Sequence, residues 1–411
     1  MSTYAVTAAR VVTCSESAGQ GALGVLEDGA FIVDDKAISW VGKRSALPKG
    51  IAVHDEGANV VTPGLVDAHT HAAWVGSRHD EYVVRMAGGD YEAIARAGGG
   101  IVSSHRQIVA AEESTIREAL IARAKRMASL GVTTIEVKSG YGLLPEEELK
   151  QLRAIRDAKS DASIPRIVST FLGLHAIPPS LRDRRDEFLK GATGLLERVQ
   201  IEGLADFVDA YIDRNAFSVE ESRAFLTAAK AHGFELRLHV GQFSDIGGAE
   251  LASELGAKSV DHLEVVGEAA MNALANAGVF ASLLPTACFT LKQEPPPVAR
   301  LRAHGIRFVI ASDANPGTSP SESLPLAMAM GVRLFGLTPE ETILGVTRHA
   351  AASLAKDDVT GSLAVGKCAD YVVWDLPHEH ALLQPWGVAR TKRVVREGRV
   401  IGGSDLAHAL K

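Results

Sequence analysis

Five histidines and one aspartate fall where short apolar segments of this chain run out. His69 and His71 close Leu65–His71, and His175 closes Ile167–His175. His239 falls near the end of Glu235–Val240, His262 within Ser259–Glu264, and Asp313 closes Phe308–Asp313. His69 and His71 are two apart, and on a strand that spacing turns both imidazoles to one side. Two nitrogen ligands can then reach one ion at about 2.0–2.1 Å. With His239 and Asp313 they make a hard-to-borderline divalent site with room for water. Each residue also has a plain structural reading. His239 after Leu236-Arg237-Leu238, and His262 between Asp261 and Leu263, can be hydrogen-bonded core histidines. Asp313-Ala314-Asn315-Pro316-Gly317 is a sequence that any turn might use. Those readings must hold separately at several tips, whereas one metal site accounts for them together. A second pair, His378-Glu379-His380, follows Pro377 in a polar stretch and reads as solvated surface.

The segments carrying these residues set the fold. Strand candidates are Leu65–His71, Thr133–Lys138, Ile167–His175, Phe207–Asp213, Glu235–Val240, Ser259–Glu264, Phe280–Pro285 and Phe308–Asp313. Helical periodicity fills the gaps, most clearly at Ser114–Leu130, Glu146–Lys159, Val219–His232 and Ser321–Phe335. Repeated β-then-α units predict an α/β fold, a (β/α)8 TIM-like barrel, with every strand tip around one mouth. A doubly wound sheet competes, but no G-x-G-x-x-G stands at a strand-to-helix turn. Both chain ends instead alternate β-branched residues with turns, as in Arg10–Thr13, Ala30–Asp35, Ala37–Val41 and Val394–Ile401. Neither end has a full core alone. The expected arrangement is a small composite β-sandwich domain from residues 1–62 and 360–411, around a catalytic barrel of 63–359.

Composition removes other classes. In 411 residues, 43 Lys+Arg stand against 50 Asp+Glu, a formal charge of −7, so no nucleic-acid surface is expected. Hydrophobic residues at 46% and charged residues at 23% exclude disorder. Cys14, Cys288 and Cys368 form no C-x-x-C, so a reducing compartment is expected. No apolar run of about 18 residues occurs and the start shows no leader pattern, so no membrane partner and a cytoplasmic location are expected.

Pro63-Gly64-Leu65-Val66-Asp67-Ala68-His69-Thr70-His71 resembles the first-strand motif of the amidohydrolase superfamily, and Ser312-Asp313 resembles its eighth-strand motif. Gly366-Lys367-Cys368-Ala369-Asp370 is similar to its composite β-domain. Glu136–Leu143, Phe171–Pro178, Asp261–Glu264, Ser312–Thr318, and Tyr91 followed by Gly98-Gly99-Gly100-Ile101 narrow the resemblance to the imidazolonepropionase family. That resemblance implies ring opening of 4-imidazolone-5-propanoate to N-formimino-L-glutamate, with one Zn2+ or Fe ion per subunit and a homodimer. It implies His69, His71, His239 and Asp313 as metal ligands. Asp313 then carries a proton from water to the departing ring nitrogen, and His262 hydrogen-bonds the developing oxyanion. Arg78 suits the propanoate by its fork geometry. Tyr91, Tyr141, His175, Gln242, Asn315, Gly317 and Thr318 are implied at the substrate.

Asp206–Arg214, the fourth-strand region, holds no Lys of the kind that bridges two metals in some superfamily members, which favours one ion. Lys138 is expected to be a buried structural cation or a surface charge. Asp67, Asp261 and Glu264 are possible partners of the ligand histidines. One departure stands out: where the family usually has Ala-Asp after the fifth-strand histidine, this chain has Val240-Gly241, then Gln242. Loss of a bond from that carboxylate is the expected consequence. Gln242 cannot shuttle a proton, which argues against the runner-up, a cytosine- or guanine-type deaminase. A catalytically inactive ligand-binding barrel is the other alternative.

Overall fold

The computed structural model describes residues 3–89 and 99–409, with side chains through 406 at its C-terminal end. Tyr91 and Gly98 lie outside the described residues. The chain begins in a sheet: β1 (Thr3–Val12), β2 (Val25–Asp34), β3 (Ala37–Lys43), β4 (Ala52–Asp55) and β5 (Val60–Pro63). It then enters eight strands, β6 (Leu65–Asp67), β7 (Val132–Lys138), β8 (Arg166–Leu174), β9 (Phe207–Ile212), β10 (Glu235–Val240), β11 (Ser259–His262), β12 (Phe280–Leu283) and β13 (Phe308–Ile310). It ends in β14 (Tyr371–Trp374), β15 (Thr391–Arg396) and β16 (Arg399–Gly402).

Strands β6 to β13 pair in sequence order, all parallel. Beyond the regular ladder the two edge strands meet. Thr70 bridges Ala314, His71 N donates to Ala314 O at 3.0 Å, and Asp313 N donates to His69 O at 3.1 Å. These bonds close the barrel at its mouth and set two metal-ligand candidates against a third. Helices follow the strands and cover the outside. Four of them, Glu113–Ser129, Pro145–Ala158, Val219–Ala231 and Leu324–Phe335, lie where the 3.6-residue period predicts them. Ser218 starts the third with a reciprocal capping box to Glu221.

The interior is stratified. At the end where the strands begin, Val66, Phe207, Phe280 and Val309 pack with Ala350, Ala351 and Leu354 into an apolar plug. Charged residues line the strands above it; His239 and His262 stand at the C-terminal ends of β10 and β11, while His69, His71 and His175 lie just past the ends of β6 and β8 rather than on them. The other sheet runs β16-β15-β14-β5-β1-β2-β3, with β4 beside β1, so segments from both chain ends share one ladder. Its core of Val6, Val11, Phe31, Val33, Val61, Tyr371, Val373 and Val395 is separate from the barrel interior.

Candidate metal centre and substrate pocket

Three histidine rings converge at the mouth. Ligand atoms of His69, His71 and His239 all lie within 4.8 Å of one another. Asp313 Oδ1 is 3.4 Å from His69 Nε2 and 3.6 Å from His71 Nε2. Each of the four residues is at most 4% exposed. Two of the rings are held from behind by carboxylates: His69 Nδ1 lies 2.9 Å from Asp261 Oδ2, and His239 Nδ1 lies 3.0 Å from Asp209 Oδ2. Both ring nitrogens of His69, Nδ1 of His71 and Nε2 of His239 are buried with no hydrogen-bond partner among the described residues. Orphaned imidazole nitrogens are costly in a protein interior, and here they face one another and a carboxylate. This donor set fits a divalent ion.

The charge states agree with that fit. Burial holds His71 and His239 well below the usual histidine range, aided by neighbouring positive charge, so both stay neutral and keep a lone pair. At His69, burial is again the largest influence and pulls the same way, but the carboxylates of Asp261 and Asp313 together outweigh it and lift the ring to about 9. An ion arriving there must displace a proton.

The backbone at these tips is unusual. His262, Leu263 and Asp313 adopt φ of 87°, 69° and 51°. Non-glycine residues rarely hold such angles, and they concentrate at functional sites. Gly241 has φ 68°, and a Cβ there would sit 2.4 Å from Val265 O. Position 241 therefore offers no route for a carboxylate to the metal site in this backbone. The partner of His239 comes from Asp209 on the neighbouring strand β9.

A pocket beside the histidines is lined by His71, Arg78, Ile101, Tyr141, His175, Tyr211, His239, Gln242, His262, Asp313, Asn315 and Thr318. The structure thus brings together all the sequence-predicted site residues except three. Tyr91 is outside the described residues. His69 lies deeper in the same cluster. Gly317 packs behind the wall, where a Cβ would come within 2.1 Å of an Arg78 guanidinium nitrogen. A side chain at 317 would have to displace the Arg78 guanidinium from its present position.

Each wall has its own support. Arg78 is only 6% exposed, and its guanidinium meets Glu81 Oε2 at 2.9 Å. Asn315 organises the loop after β13. Its Oδ1 accepts from Gly317 N at 2.9 Å and Thr318 N at 2.7 Å, and its Nδ2 donates to Asp313 Oδ2 at 2.9 Å. The Ser139-Gly140-Tyr141-Gly142 loop is strapped to the helix that follows it. Gly140 N donates to Glu148 Oε2, and Tyr141 N and Gly142 N both donate to Gln151 Oε1. His175 Nδ1 donates to Gly140 O at 2.7 Å, and burial lowers this ring to about 4, so it is neutral with its Nε2 lone pair available. Tyr211 Oη donates to Gln242 Oε1 at 2.7 Å, which leaves the Gln242 amide N–H groups as the donors for a ligand.

Sequence reasoning missed Asp209, Tyr211, Glu81 and Arg237. A signal existed for Asp209 and Arg237. Each stands two residues before an inward polar residue on an otherwise apolar strand, in Asp209-Ala210-Tyr211 and Arg237-Leu238-His239. Of the three possible histidine partners, Asp261 holds His69, whereas Asp67 accepts from Ser312 N and ties β6 to β13. Glu264 lies 3.5 Å from His262 Nδ1, which is not one of the four candidate ligands. Lys138 is fully buried, so the surface alternative for it falls away. In the second pair, His378 is half-buried and His380 exposed, and Glu379 between them is buried and clasps Arg10.

Comparison with known proteins follows the same lines. Residues 60–401 match the model of the amidohydrolase family. The chain is 43% identical over 384 residues to an imidazolonepropionase of Shewanella putrefaciens, covering 92% of this chain and 94% of that protein. An imidazolonepropionase of Shewanella frigidimarina is 43% identical over 388 residues, covering 93% and 94%. Among solved structures, E. coli guanine deaminase superposes with a TM-score of 0.73 at 16% identity, over 98% of this chain and 100% of that one. An ochratoxinase of A. niger gives 0.70 at 18% identity, over 98% and 96%. Those two likenesses speak to fold alone. Among the described residues no helix is long and apolar enough to cross a membrane.

Proposed function

The chain belongs to the amidohydrolase family, in its imidazolonepropionase branch, and from that membership we propose that it hydrolyses the cyclic amide C–N bond of 4-imidazolone-5-propanoate to give N-formimino-L-glutamate. The family is metal-dependent, and the chain has residue groups able to bind an ion. The observation that carries the reading is the convergence of buried, unpartnered histidine nitrogens and Asp313 beside a buried arginine. His69, His71, His239 and Asp313 hold one Zn2+ or Fe ion in this reading. When bound, such an ion polarises a carbonyl and lowers the pKa of water toward neutrality.

The protein's own residues do the rest. Asp313 has one carboxylate oxygen toward the histidines and the other held by Asn315, so its orientation is fixed. It takes a proton from the attacking water and delivers it to the ring nitrogen as the amide bond breaks. His262 donates its ring N–H to the oxygen that gains charge on the carbonyl. Arg78 receives the propanoate by a charge-assisted pair. Its pairing with Glu81 stabilises the buried cation before substrate arrives. His175 and Tyr141 bound the pocket, and Thr318 and Asn315 form the facing wall. Gln242 contributes donors that recognise the ring but cannot carry a proton to it. That favours ring opening over the deamination of the structural neighbour with a related fold. The same reading gives a homodimer in the cytoplasm.

The test is to follow loss of 4-imidazolone-5-propanoate by ultraviolet absorbance while assaying ammonia. The expected result is equimolar conversion to N-formimino-L-glutamate with no ammonia. Ammonia released in step with substrate loss points to a deaminase instead. Binding without turnover in the metal-loaded protein points to the inactive ligand-binding barrel.

A further inference from the structure

We propose that Lys138 is the positioning residue of the metal centre: its buried ammonium fixes the two carboxylates that orient His69 and His239. This rests on the ligand set proposed above. The side chains of Glu136, Lys138, Asp209, Arg237 and Asp261 have no solvent exposure. They form one ionic group directly behind the histidines. Lys138 Nζ donates to Asp209 Oδ2 at 2.8 Å and to Glu136 Oε1 at 2.9 Å, and lies 3.7 Å from Asp261 Oδ2. The Asp209 and Asp261 oxygens in those pairs are the same two that stand 3.0 Å from His239 Nδ1 and 2.9 Å from His69 Nδ1. One ammonium therefore stands behind both rings through a single carboxylate each.

Backbone bonds reach the third ring. Lys138 N donates to Thr70 O at 2.9 Å, and Glu136 Oε2 accepts from Thr70 N at 3.0 Å. Thr70 is the residue between His69 and His71, so the tip of β7 also braces the His-Thr-His segment. Arg237 does not share this geometry: among the described residues its hydrogen bonds go to Asp261 Oδ1 and Ser353 O, and its guanidinium lies over the Phe207 ring.

The electrostatics give the ammonium its purpose. Asp209, His239 and Asp261 have ligand atoms within 4.8 Å of one another, close enough to hold a cation themselves. Two carboxylates facing each other without solvent repel, and each would turn away or take a proton. Lys138 supplies the fixed positive charge between them. Both carboxylates can then stay behind the rings: Asp209 Oδ1 accepts from His239 Nδ1 at 3.2 Å, which leaves Nε2 of that ring as the ligand, and Asp261 Oδ2 stays 2.9 Å from His69 Nδ1.

The experiment uses the full chain and Zn2+, in competition with a chromophoric chelator. Lys138→Met keeps the stem and removes the charge. We expect Zn2+ binding weakened by about 10–100-fold, the range found when partners behind metal ligands are lost. Asp209→Asn should weaken it similarly. The double variant should lose less than the product of the two, because both act through one contact. The Co2+-loaded Lys138→Met protein should show a shifted visible spectrum, which a purely structural role would leave in place. Affinity within about threefold of the parent chain with an unchanged Co2+ spectrum would overturn the proposal, as would fully multiplicative losses in the double variant. If Lys138→Met does not fold, Glu136→Gln serves. It removes the negative charge of the ammonium's other partner and leaves Asp209 and Asp261 in place, so a smaller weakening supports the role and none overturns it. A parent chain that takes up no Zn2+ would overturn the ligand assignment itself.

Discussion

His69 and His71 are at most 4% exposed at the barrel mouth, whereas the side chains of His378 and His380 are 44% and 48% exposed on a loop beside the terminal sheet. Spacing is the same in the two regions, and so is the residue type. What differs is everything behind the rings. At the mouth, a carboxylate stands on Nδ1 of His69, Asp313 faces both Nε2 atoms, and His239 arrives from a strand far away in sequence. In the loop, His378 Nδ1 accepts from the backbone of His380, and His380 faces Glu340 at 3.4 Å on the surface. The acidic residue between them is turned inward to Arg10 at 2.6 Å and so anchors the loop to the sheet. Both pairs belong to groups whose ligand atoms are close enough for an ion, and the proposed site is the one whose nitrogens are buried and backed by carboxylates from neighbouring strands.

Substitutions can break this contrast, beginning with the strongest. Asp313→Asn should lower kcat by about 10²–10⁴-fold, as for loss of a general acid-base group, measured as initial rates on the metal-loaded protein. His262→Asn should cost about 10²–10³-fold in kcat while metal content stays at the parent level. A rate near that of the parent chain would remove His262 from the oxyanion role. Arg78→Met should raise KM by about 10–100-fold with metal content unchanged, which corresponds to losing a charged hydrogen bond of about 1.5–3 kcal/mol. Unchanged kinetics would sink the carboxylate clamp. His380→Ala should alter neither metal content nor rate, and should shift stability by no more than about 0.5 kcal/mol in a denaturant titration. A loss of metal in His380→Ala would erase the distinction between the two pairs.

Much of the barrel was legible because its signals are local. Strand tips such as Leu65–Asp67 and Phe308–Ile310 are short apolar runs ended by polar residues, and helices such as Pro145–Ala158 repeat apolar residues at helical spacing. The histidines and Asp313 could be grouped because every strand of a barrel ends at the same mouth. The charges behind them were less legible, because Asp209 meets His239 only through the register of β9 against β10. That register is a property of two strands together and is written in neither alone. Gly241 misled for a related reason. The motif suggested a lost carboxylate, but the left-handed backbone and the nearby Val265 carbonyl leave no room for one. Arg78 was found through its expected anionic ligand, while Glu81, three residues on and paired with it, had no pattern to announce it.

In the proposed function, one metal ion held by His69, His71, His239 and Asp313 is required for hydrolysis of the imidazolone ring. The most direct test of this requirement is to strip the chain with a chelator, return metal in measured steps, and follow 4-imidazolone-5-propanoate loss against bound metal. Activity should be absent in the stripped protein and should rise in proportion to bound metal until one ion per chain is reached. Full turnover by the stripped protein, or activity that appears only as a second ion binds, would contradict it.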